Sequence, residues 1–519
     1  MSRPTERRAP THFWLLAFLL LTASFYLLTL RPGHDWGDDF AQYIHHAKNI
    51  ALGLDYTQTG YIWNPRFPEL GPPTYPPVFP LLLAPIYAAR GLDLGAMKVI
   101  VTLCFVAALY FIALTFRPVL RPRYVLVLLI LIGLNPYFWR LKDSVLSDLP
   151  FLLFIYLSLC LIARHPGPGR LRARTILFAT VLGASCYLAY GTRALGVILI
   201  PSLLLTDWLR WRRITSISVV AVATFVVMAA VQSTVTHWDT GYASVFRLEP
   251  HRIATNFAEY ASYLSGLWSN AWWRPGDWVL LVLFGMLGAV GFWRRVRSGR
   301  VTELEVFAVL YALAILPWFE VQGRYLVPLM PLYIGYALVT VQGAASHRWR
   351  GTLLLGLVAL AALGFFSEYL VLMKDRGPEG VGSANARLLW RAVERNTDSS
   401  AVVVFQKPRA LALFTDRHTT GMQRSGDDRD LWDYLSRVGA SFAILGPSDS
   451  NFVYQARLRR LIAEYPGRFQ LIYRNPDFSL YRIRARGERV NSLSPSDFHR
   501  IPVKVHAIRV ERPRSVSYP

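Results

Sequence analysis

Cysteine is scarce in this chain of 519 residues, which contains only three. Cys104, Cys160 and Cys186 all lie inside apolar runs, and the sequence has no CxxC motif and no Cys/His spacing of the kind that binds zinc. A disulfide framework and a structural zinc site therefore have no support in the sequence. We expect the three thiols to be small buried groups.

Charge is scarce as well, because Asp, Glu, Lys and Arg make up 17% of the residues while hydrophobic residues make up 53%. Soluble proteins carry about 25% charged residues. The apolar residues also come in long runs, which is typical of a polytopic membrane protein. No glycine-rich strand–helix turn is present, so we expect no nucleotide-binding site.

Acidic residues are outnumbered by basic ones, 33 against 56, which gives a net charge of +23. Many of the basic residues cluster in short connections between the apolar runs. That distribution is the bias that orients membrane proteins, and it differs from a stripe that tracks nucleic-acid phosphates. We expect no nucleic-acid partner.

The apolar runs predict about eleven transmembrane helices. We expect them near residues 13–30, 96–116, 123–139, 145–163, 174–190, 194–209, 214–232, 277–293, 302–318, 325–343 and 350–371. The first run follows a basic N-terminus but lacks a small-x-small cleavage site. It is long enough to cross about 30 Å of hydrocarbon, so we interpret it as a retained span and not as a signal peptide.

The loop charges predict the orientation of these spans. If the N-terminus is cytoplasmic, every other predicted inside connection is basic, namely residues 117–123, 164–174, 210–213, 293–300 and 347–350. The long loops 31–95 and 233–276 then lie outside, and so does the C-terminal region. The sequence therefore predicts a multi-pass protein of the cell inner (plasma) membrane with a cytoplasmic N-terminus and an extracytoplasmic C-terminus.

Three domains are expected. Residues 1–372 form the transmembrane region, and residues 373–486 alternate between helix-forming and strand-forming segments, which predicts a small extracytoplasmic α/β domain. Residues 487–519 are basic and aperiodic and are expected to be a disordered tail. The fold class is thus a polytopic α-helical membrane protein with a C-terminal α/β domain.

An acidic pair, Asp38 and Asp39, stands between the first span and an amphipathic segment that Gly53 is placed to end. The simplest interpretation is that one Asp caps that helix, which would contribute about 1 kcal/mol. Two other features favour more than a cap. The segment GPPTYPPVFPLLLAPIYAARG (71–91) is too short to span and fits an interfacial or re-entrant helix. Asp148 in LKDSVLSDLPFLLF (141–154) is expected at the outer end of a span.

The first span, the acidic pair, the segment 71–91 and the span that begins near Asp148 follow one another in this order along the chain. These motifs and their order resemble those of the GT-C membrane glycosyltransferases. The similarity is to bacterial members akin to protein O-mannosyltransferases and the lipid A aminoarabinose transferase. Besides the segments quoted above, GDDFAQYIHHAKNIALG (37–53), GTRALGVILIP (191–201) and QGRYLVPLMPLY (322–333) resemble recurrent family segments. The resemblance covers most of residues 10–486. One departure is Tyr75, which stands where some relatives carry a phosphate-binding Lys.

The resemblance implies an enzyme that transfers a hexose or pentose from a polyprenyl-phosphate donor to a lipid, glycan or protein acceptor at the outer face of the membrane. Such a displacement needs a base for the acceptor proton, while cations can hold the charge that develops on the phosphate. We expect Asp38 to be the base, Asp39 to be the second choice or a positioning group, and Asp148 to be an auxiliary acid. The expected substrate-binding residues are Tyr43, Tyr75, Arg140, Lys142, Arg193, Arg324 and Tyr325.

Histidines close to the acidic pair raise the question of a metal site. His34, His45 and His46 accompany Asp38 and Asp39, but His45 and His46 face different ways on a helix, and the set lacks a convincing ligand spacing. We therefore expect no metal and no other cofactor, and we place the histidines at a wet interface.

Two other functions remain open at the level of sequence. A lipid or solute transporter would also carry charges within its membrane region, although transporters often have related halves and no such repeat is evident here. A non-catalytic envelope-assembly protein is the second alternative. Loss of activity on Asp38→Asn would separate an enzyme from such a scaffold.

Overall fold

Helices dominate the structure, a computed structural model that describes residues 11–67, 70–236, 250–318, 320–344, 346–375, 377, 380–422, 427–447 and 455–484. Fifteen of the helices that it describes precede residue 373. They are α1 (Thr11–Leu28), α2 (Asp39–Leu52), α3 (Val78–Arg90), α4 (Leu94–Phe116), α5 (Pro122–Gly133), α6 (Pro136–Leu141), α7 (Asp148–Ala163), α8 (Ala173–Thr192), α9 (Leu199–Trp211), α10 (Ser216–Thr236), α11 (Pro250–Ser265), α12 (Pro275–Arg297), α13 (Glu303–Ile315), α14 (Met330–Gln342) and α15 (His347–Leu372). The predicted tail, 487–519, and the basic N-terminal residues lie outside the described residues.

Within the described residues, six helical segments are long and apolar enough to cross a membrane, which makes this a membrane protein. They are Leu94–Phe116, Ala173–Thr192, Ala194–Trp211, Ser216–Thr234, Pro275–Arg297 and Arg348–Leu372. The other predicted spans correspond to shorter helices. For example, α13 and α14 have 13 residues each, or about 20 Å at 1.5 Å per residue. The count of eleven spans is therefore not confirmed.

One predicted span is interrupted. The run at 123–139 divides into α5 and α6 because Pro136 supplies no N–H and disfavours helical backbone in the residue before it. Asn135 is extended there, and its side chain accepts a hydrogen bond from the N–H of Tyr137 at 2.9 Å. Asn135 is thus the N-cap of the short helix α6, and Pro136 is its first residue. The prediction of one continuous helix is wrong at this point.

The membrane helices pack in pairs, with α4 against α7, α8 against α10, and α12 against α14. Two of these pairs approach closely at glycines. A Cβ at Gly183 would collide with the carbonyl oxygen of Ala221, and a Cβ at Gly291 would collide with that of Tyr336. Close approach at small residues is how membrane helices gain packing energy without a hydrophobic driving force.

The C-terminal region folds around a six-stranded sheet in the order β1-β3-β2-β4-β6-β5. Its strands are β1 (Tyr61–Ile62), β2 (Val402–Val404), β3 (His418–Thr420), β4 (Ala440–Leu445), β5 (Phe469–Arg474) and β6 (Ser479–Ile483). Its helices are α16 (Ala384–Asn396), α17 (Pro408–Thr415), α18 (Asp428–Arg437) and α19 (Ala456–Glu464). The first four strands in the sheet order are parallel, and β6 runs antiparallel to both β4 and β5.

Strand β1 comes from the first long loop and not from the C-terminal region. Tyr61 and Ile62 pair in parallel with Thr419 and Thr420. The N–H of Thr419 donates to the carbonyl of Gly60 at 2.9 Å, and the side chain of Asn64 donates to the carbonyl of Gly421 at 3.1 Å. The loop that carries the acidic pair is thus built into the edge of the C-terminal sheet. We refer to this sheet with α16–α19 as the α/β unit.

Candidate active site

Helix α2 begins at the acidic pair, and every residue from Phe40 to Ala47 is buried, so its polar side is enclosed as well as its apolar side. Gly53 ends it in the left-handed conformation, at φ 67°, which Gly adopts without strain. Asp38 occupies the N-cap position of α2, but its side chain makes no cap hydrogen bond there. The simplest interpretation of the pair, that one Asp caps this helix, therefore does not hold for Asp38.

Asp38 instead caps a helix of the α/β unit. Its Oδ1 accepts from the backbone N–H of Ala410 at 3.0 Å, and its Oδ2 accepts from the N–H of Arg409 at 3.3 Å. Lys407 is the N-cap residue of α17 and has no side-chain acceptor, so the first turn of that helix takes its carboxylate from Asp38. A carboxylate is also favoured at this positive end of the helix dipole.

Asp39 lies between two arginines. Its Oδ2 is 2.5 Å from Nη2 of Arg324, and its Oδ1 accepts from Nη1 of Arg409 at 3.0 Å and from the hydroxyl of Tyr75 at 2.7 Å. Side-chain exposure is 22% for Asp39 against 10% for Asp38. Of the two acids, Asp39 is therefore the more accessible and faces the larger number of charged donors.

The two neighbouring carboxyl groups have opposite pKa shifts. For Asp39, burial raises the pKa, but Arg324 and Arg409 outweigh burial and hold the pKa well below its usual value. For Asp38, burial raises the pKa, and Arg409, Lys407 and the two backbone N–H groups offset that rise only in part. Asp39 is thus held as a carboxylate, and Asp38 is the more basic of the two.

A second acid–arginine pair lies beside the first. Arg193 follows the last residue of α8 and pairs through Nη1 with Oδ1 of Asp148, which begins α7. The guanidinium carbon of Arg193 is 5.3 Å from the ring centre of Tyr325, and that of Arg324 is 6.0 Å from it. Both arginines therefore approach one aromatic ring. Buried Oδ2 of Asp148 has no hydrogen-bond partner among the described residues.

Two tyrosines connect the acidic loop to the membrane helices. The rings of Tyr43 and Tyr75 stack with centres 4.6 Å apart, and the Tyr43 hydroxyl lies 2.8 Å from Oγ of Ser147. Burial raises the pKa of Tyr43 to about 12, so its hydroxyl stays protonated at neutral pH. The structure thus brings together eight of the predicted site residues: Asp38, Asp39, Tyr43, Tyr75, Asp148, Arg193, Arg324 and Tyr325.

Arg140 and Lys142 have other partners. Arg140 forms an ion pair with Glu368 of α15. Lys142 is fully buried, donates to Asp143 at 2.6 Å, and lies 3.8 Å from the ring centre of Trp139. Arg140 and Lys142 thus pair with acids other than Asp39 and Asp148, and the structure does not place them in the ion pairs around Tyr325.

The histidines near the acidic pair are buried, so their placement at a wet interface is wrong. Nε2 of His34 accepts from the N–H of Val145 at 3.0 Å, and Nε2 of His46 accepts from the N–H of Tyr75 at 3.2 Å. Burial lowers the pKa of His46 to about 3 and that of His45 to about 4, which keeps both neutral. His34 and His46 act as hydrogen-bond acceptors that fix the loops around the acids.

A divalent metal does not fit the acidic cluster. Among the described residues, no group of three or more His, Cys, Asp and Glu side chains is arranged to hold an ion. Both oxygens of Asp39 and Oδ1 of Asp148 face guanidinium groups, and Asp38 is directed at backbone N–H groups. Oδ2 of Asp148 is then the one open oxygen of these three acids, too few for a divalent cation. We therefore derive no step through a metal.

Arg409 is the site residue that sequence reasoning missed. Its side chain is 0% exposed and contacts Asp39, Tyr75 and, through Nε at 3.7 Å, Asp38. The local sequence KPRALALF did carry a signal for a helix start, because Pro is favoured at the first helical position. Nothing local could join that helix to an acid 371 positions earlier.

Solved structures share this fold. ArnT from Cupriavidus metallidurans bound to undecaprenyl phosphate matches with a TM-score of 0.60 and 13% identity over 91% of this chain and 98% of that chain. The oligosaccharyltransferase AglB from Archaeoglobus fulgidus, in complex with an inhibitory peptide and a dolichol-phosphate, matches with a TM-score of 0.55 and 12% identity over 84% of this chain and 69% of that chain. A complex of the A. fulgidus oligosaccharyltransferase with Zn and sulfate matches with a TM-score of 0.51 and 14% identity over 83% of this chain and 68% of that chain.

These matches show that the chain shares its fold with ArnT and AglB, at 12–14% sequence identity. No family model matches the chain. No curated protein sequence matches it either.

Proposed function

We propose that this protein is a membrane glycosyltransferase that moves a sugar from a polyprenyl-phosphate donor to an acceptor outside the cytoplasm, with inversion at the anomeric carbon. The observation that carries the proposal is the pair of acid–arginine contacts, Asp39–Arg324 and Asp148–Arg193, around the ring of Tyr325. The fold supports it, since it is shared with ArnT bound to undecaprenyl phosphate and with AglB in complex with a dolichol-phosphate.

Arg193 and Arg324 are proposed to bind the donor phosphate. Their guanidinium groups approach the same ring and are each held by one acid, which fixes their direction before substrate arrives. Planar guanidinium forks donate two parallel hydrogen bonds to phosphate oxygens. Fixed cations at the phosphate would stabilise the charge that develops on it as the glycosidic bond breaks. No carboxylic acid is needed to protonate such a leaving group.

Asp39 is our proposed general base, in place of the Asp38 that the sequence pattern favoured. Asp38 directs both oxygens at backbone N–H groups of α17, whereas Asp39 is more exposed and adjoins Arg324. The low pKa of Asp39 makes it a weak base in the free protein. A donor phosphate that shares Arg324 would weaken its hold on Asp39, so the carboxylate becomes more basic when the donor is bound.

Asp148 is proposed to orient Arg193 and to contact the sugar or the acceptor. Its Oδ1 pairs with Arg193, and its Oδ2 is buried without a partner among the described residues. A buried acceptor that lacks a donor costs free energy. A hydroxyl group of the substrate would satisfy it.

Tyr43, Tyr75 and Tyr325 are proposed to line the substrate site. Tyr75, which stands where some relatives carry a Lys, donates its hydroxyl hydrogen bond to Asp39. Arg409 brings a guanidinium within 2.7 Å of that same hydroxyl. We propose that the cation missing at position 75 is supplied here by Arg409 of the α/β unit.

The site is proposed to face the extracytoplasmic side, with about eleven membrane crossings in all. The basic connections that favour this orientation are residues 117–123, 164–174, 210–213, 293–300 and 347–350. Helix α3, with 13 residues, is proposed to lie at the outer interface, where a lipid-linked donor would be presented. The acceptor is a lipid, a glycan or a protein on that face.

Donor consumption tests the proposal directly. The purified protein is reconstituted in vesicles with undecaprenyl phosphate that carries mannose or aminoarabinose, together with an envelope extract as acceptor source, and the release of undecaprenyl phosphate is measured. We expect release from at least one lipid-linked sugar and none from the Arg193→Met/Arg324→Met protein. Transfer from a soluble nucleotide sugar without lipid, or transport of the lipid without cleavage, would contradict the proposal.

A further inference from the structure

One side chain of the α/β unit reaches the acidic pair from a distant part of the chain. Arg409 is the second residue of α17, and its side chain is completely buried. Nη1 donates to Oδ1 of Asp39 at 3.0 Å and to the Tyr75 hydroxyl at 2.7 Å. The guanidinium carbon lies 5.1 Å from the ring centre of Tyr61 and 5.2 Å from that of Tyr75. Such burial of a cation is costly, and here it is offset by the Asp39 carboxylate on Nη1 and the Asp38 carboxylate 3.7 Å from Nε, while Nε and Nη2 have no hydrogen-bond partner among the described residues.

The backbone that surrounds Arg409 is shaped to admit it. Gly71 has φ +84°, and a Cβ there would collide with Nη2 of Arg409 and lie 2.9 Å from the Tyr75 hydroxyl. Strand β1 carries Tyr61, whose ring centre is 5.1 Å from the guanidinium carbon. The first long loop therefore supplies Gly71, Tyr61 and Tyr75 to the surroundings of this side chain.

The same turn of α17 fixes the other acid. Asp38 accepts from the N–H groups of Arg409 and Ala410, so side chain and backbone of one helical turn hold both carboxyl groups. Among the described residues of the membrane region, Arg324 is the one that forms an ion pair with Asp39. Without α17, Asp38 would have no helix to cap and Asp39 would keep one of its two arginines.

We propose that Arg409 is a positioning residue of the active site, through which the docked α/β unit holds the Asp38–Asp39 pair in its reactive arrangement. This inference rests on the proposed transferase function for its meaning in catalysis, but the arrangement itself can be tested without a substrate. The α/β unit is thereby part of the active site, and catalysis depends on its docking. A domain that only recruits the acceptor would not need a buried guanidinium between the two acids.

The ionisation of Asp39 reports this role. The groups that face Asp39 are Arg324, Arg409, Tyr43, Tyr75 and Tyr325. Of these, the two arginines carry charge at neutral pH and lower the pKa of Asp39. Removal of the Arg409 charge therefore raises that pKa, by about 1–3 units for loss of an adjacent opposite charge. If Arg409 only stabilised the fold, its replacement would lower the melting temperature and leave the pKa of Asp39 unchanged in the folded protein.

The experiment is an infrared titration of protonated carboxyl groups in the full-length protein, compared for wild type, Arg409→Gln, Arg409→Lys and Arg417→Gln. Arg417 is a matched control because it bonds Thr397, Thr415 and Glu394 within the α/β unit and not the acids. We expect Arg409→Gln to raise the pKa of one carboxyl group by about 1–3 units. That change should vanish in Arg409→Gln/Asp39→Asn, be smaller in Arg409→Lys, and be absent in Arg417→Gln.

An unchanged titration in a folded Arg409→Gln protein overturns the proposal, and so does an equal shift in Arg417→Gln. If Arg409→Gln does not fold, Arg409→Lys decides, since the Lys ammonium ends one bond short of the Nη1 that donates to both Asp39 and Tyr75. A titration like wild type then overturns the proposal. With an active donor in hand, the acid limb of kcat/KM should move to higher pH in Arg409→Gln. If no donor is consumed but the carboxyl pKa still shifts in Arg409→Gln, the transferase function is rejected and the positioning role of Arg409 stands.

Discussion

The carboxylate of Asp38 accepts a hydrogen bond from the backbone N–H of Ala410 at 3.0 Å, across 372 positions of sequence. This contact joins the start of α2 to the start of α17, and the adjacent Asp39 meets the Arg409 side chain from the same turn. The acidic loop and the α/β unit therefore form one site. A helix cap and a candidate catalytic group stand side by side, and each acid has its own role.

Donor binding should depend on the guanidinium fork of Arg193. Arg193→Lys keeps a charge beside Asp148 but removes the planar pair of donors, so we expect undecaprenyl phosphate to bind about tenfold more weakly. Binding is measured by native mass spectrometry or tryptophan fluorescence. Arg140→Lys is the control, because Arg140 pairs with Glu368 away from Tyr325, and its affinity should match wild type. An equal loss of affinity in Arg193→Lys and Arg140→Lys would show that Arg193 does not bind the donor phosphate.

The pH dependence of kcat/KM should distinguish the two acids, because it reports the ionisations of the free enzyme. The charged groups that face Asp39 are Arg324 and Arg409, which hold its pKa below the usual value of about 3.9. Asp39 is thus already ionised in mild acid, and kcat/KM should stay level down to about pH 4. Burial raises the pKa of Asp38, so a base at Asp38 would instead give a fall in kcat/KM that begins at higher pH.

Much of the fold could be predicted from local pattern, and the site only in part. The 3.6-residue spacing predicted α2, and alternating segments predicted α16, β4 and β6. Strand β1 has two residues and β3 has three, too few for any periodicity to appear. The partners of Asp38 and the burial of His46 depend on contacts between distant segments, which a single sequence does not display. The acids were singled out by their positions beside predicted spans and by the family resemblance, but their separate roles come from tertiary contacts.

Turnover should not require a metal ion. Arg193, Arg324 and Arg409 already supply positive charge at the acids, and the cluster offers no open set of oxygen ligands among the described residues. Activity after extensive dialysis against EDTA should equal that of the untreated protein. Loss of activity that a divalent cation restores would show that the arginines are not sufficient.

The proposed orientation predicts where reporters are active. A reporter that works only outside the cytoplasm, fused after residue 486, should be active, and a cytoplasm-only reporter at that position should be silent. Fusions within 164–172, in the basic connection between α7 and α8, should show the reverse pattern. Activity of the cytoplasmic reporter after residue 486 would place the α/β unit and the acidic loop on the wrong side for a lipid-linked donor.

The most direct test of the account is the ratio of turnover numbers for Asp39→Asn and Asp38→Asn, measured with the same lipid-linked donor. Asn keeps one of the two oxygens that accept from the first turn of α17, so Asp38→Asn should lose some stability but stay folded and keep most of its turnover. Asn cannot accept a proton, so Asp39→Asn should lose turnover by about 10²–10⁴. Thermal unfolding of both variants confirms that folded proteins are compared. If Asp38→Asn loses turnover to that extent while Asp39→Asn remains active, the base is Asp38; if both remain active, the catalytic interpretation of this loop is wrong.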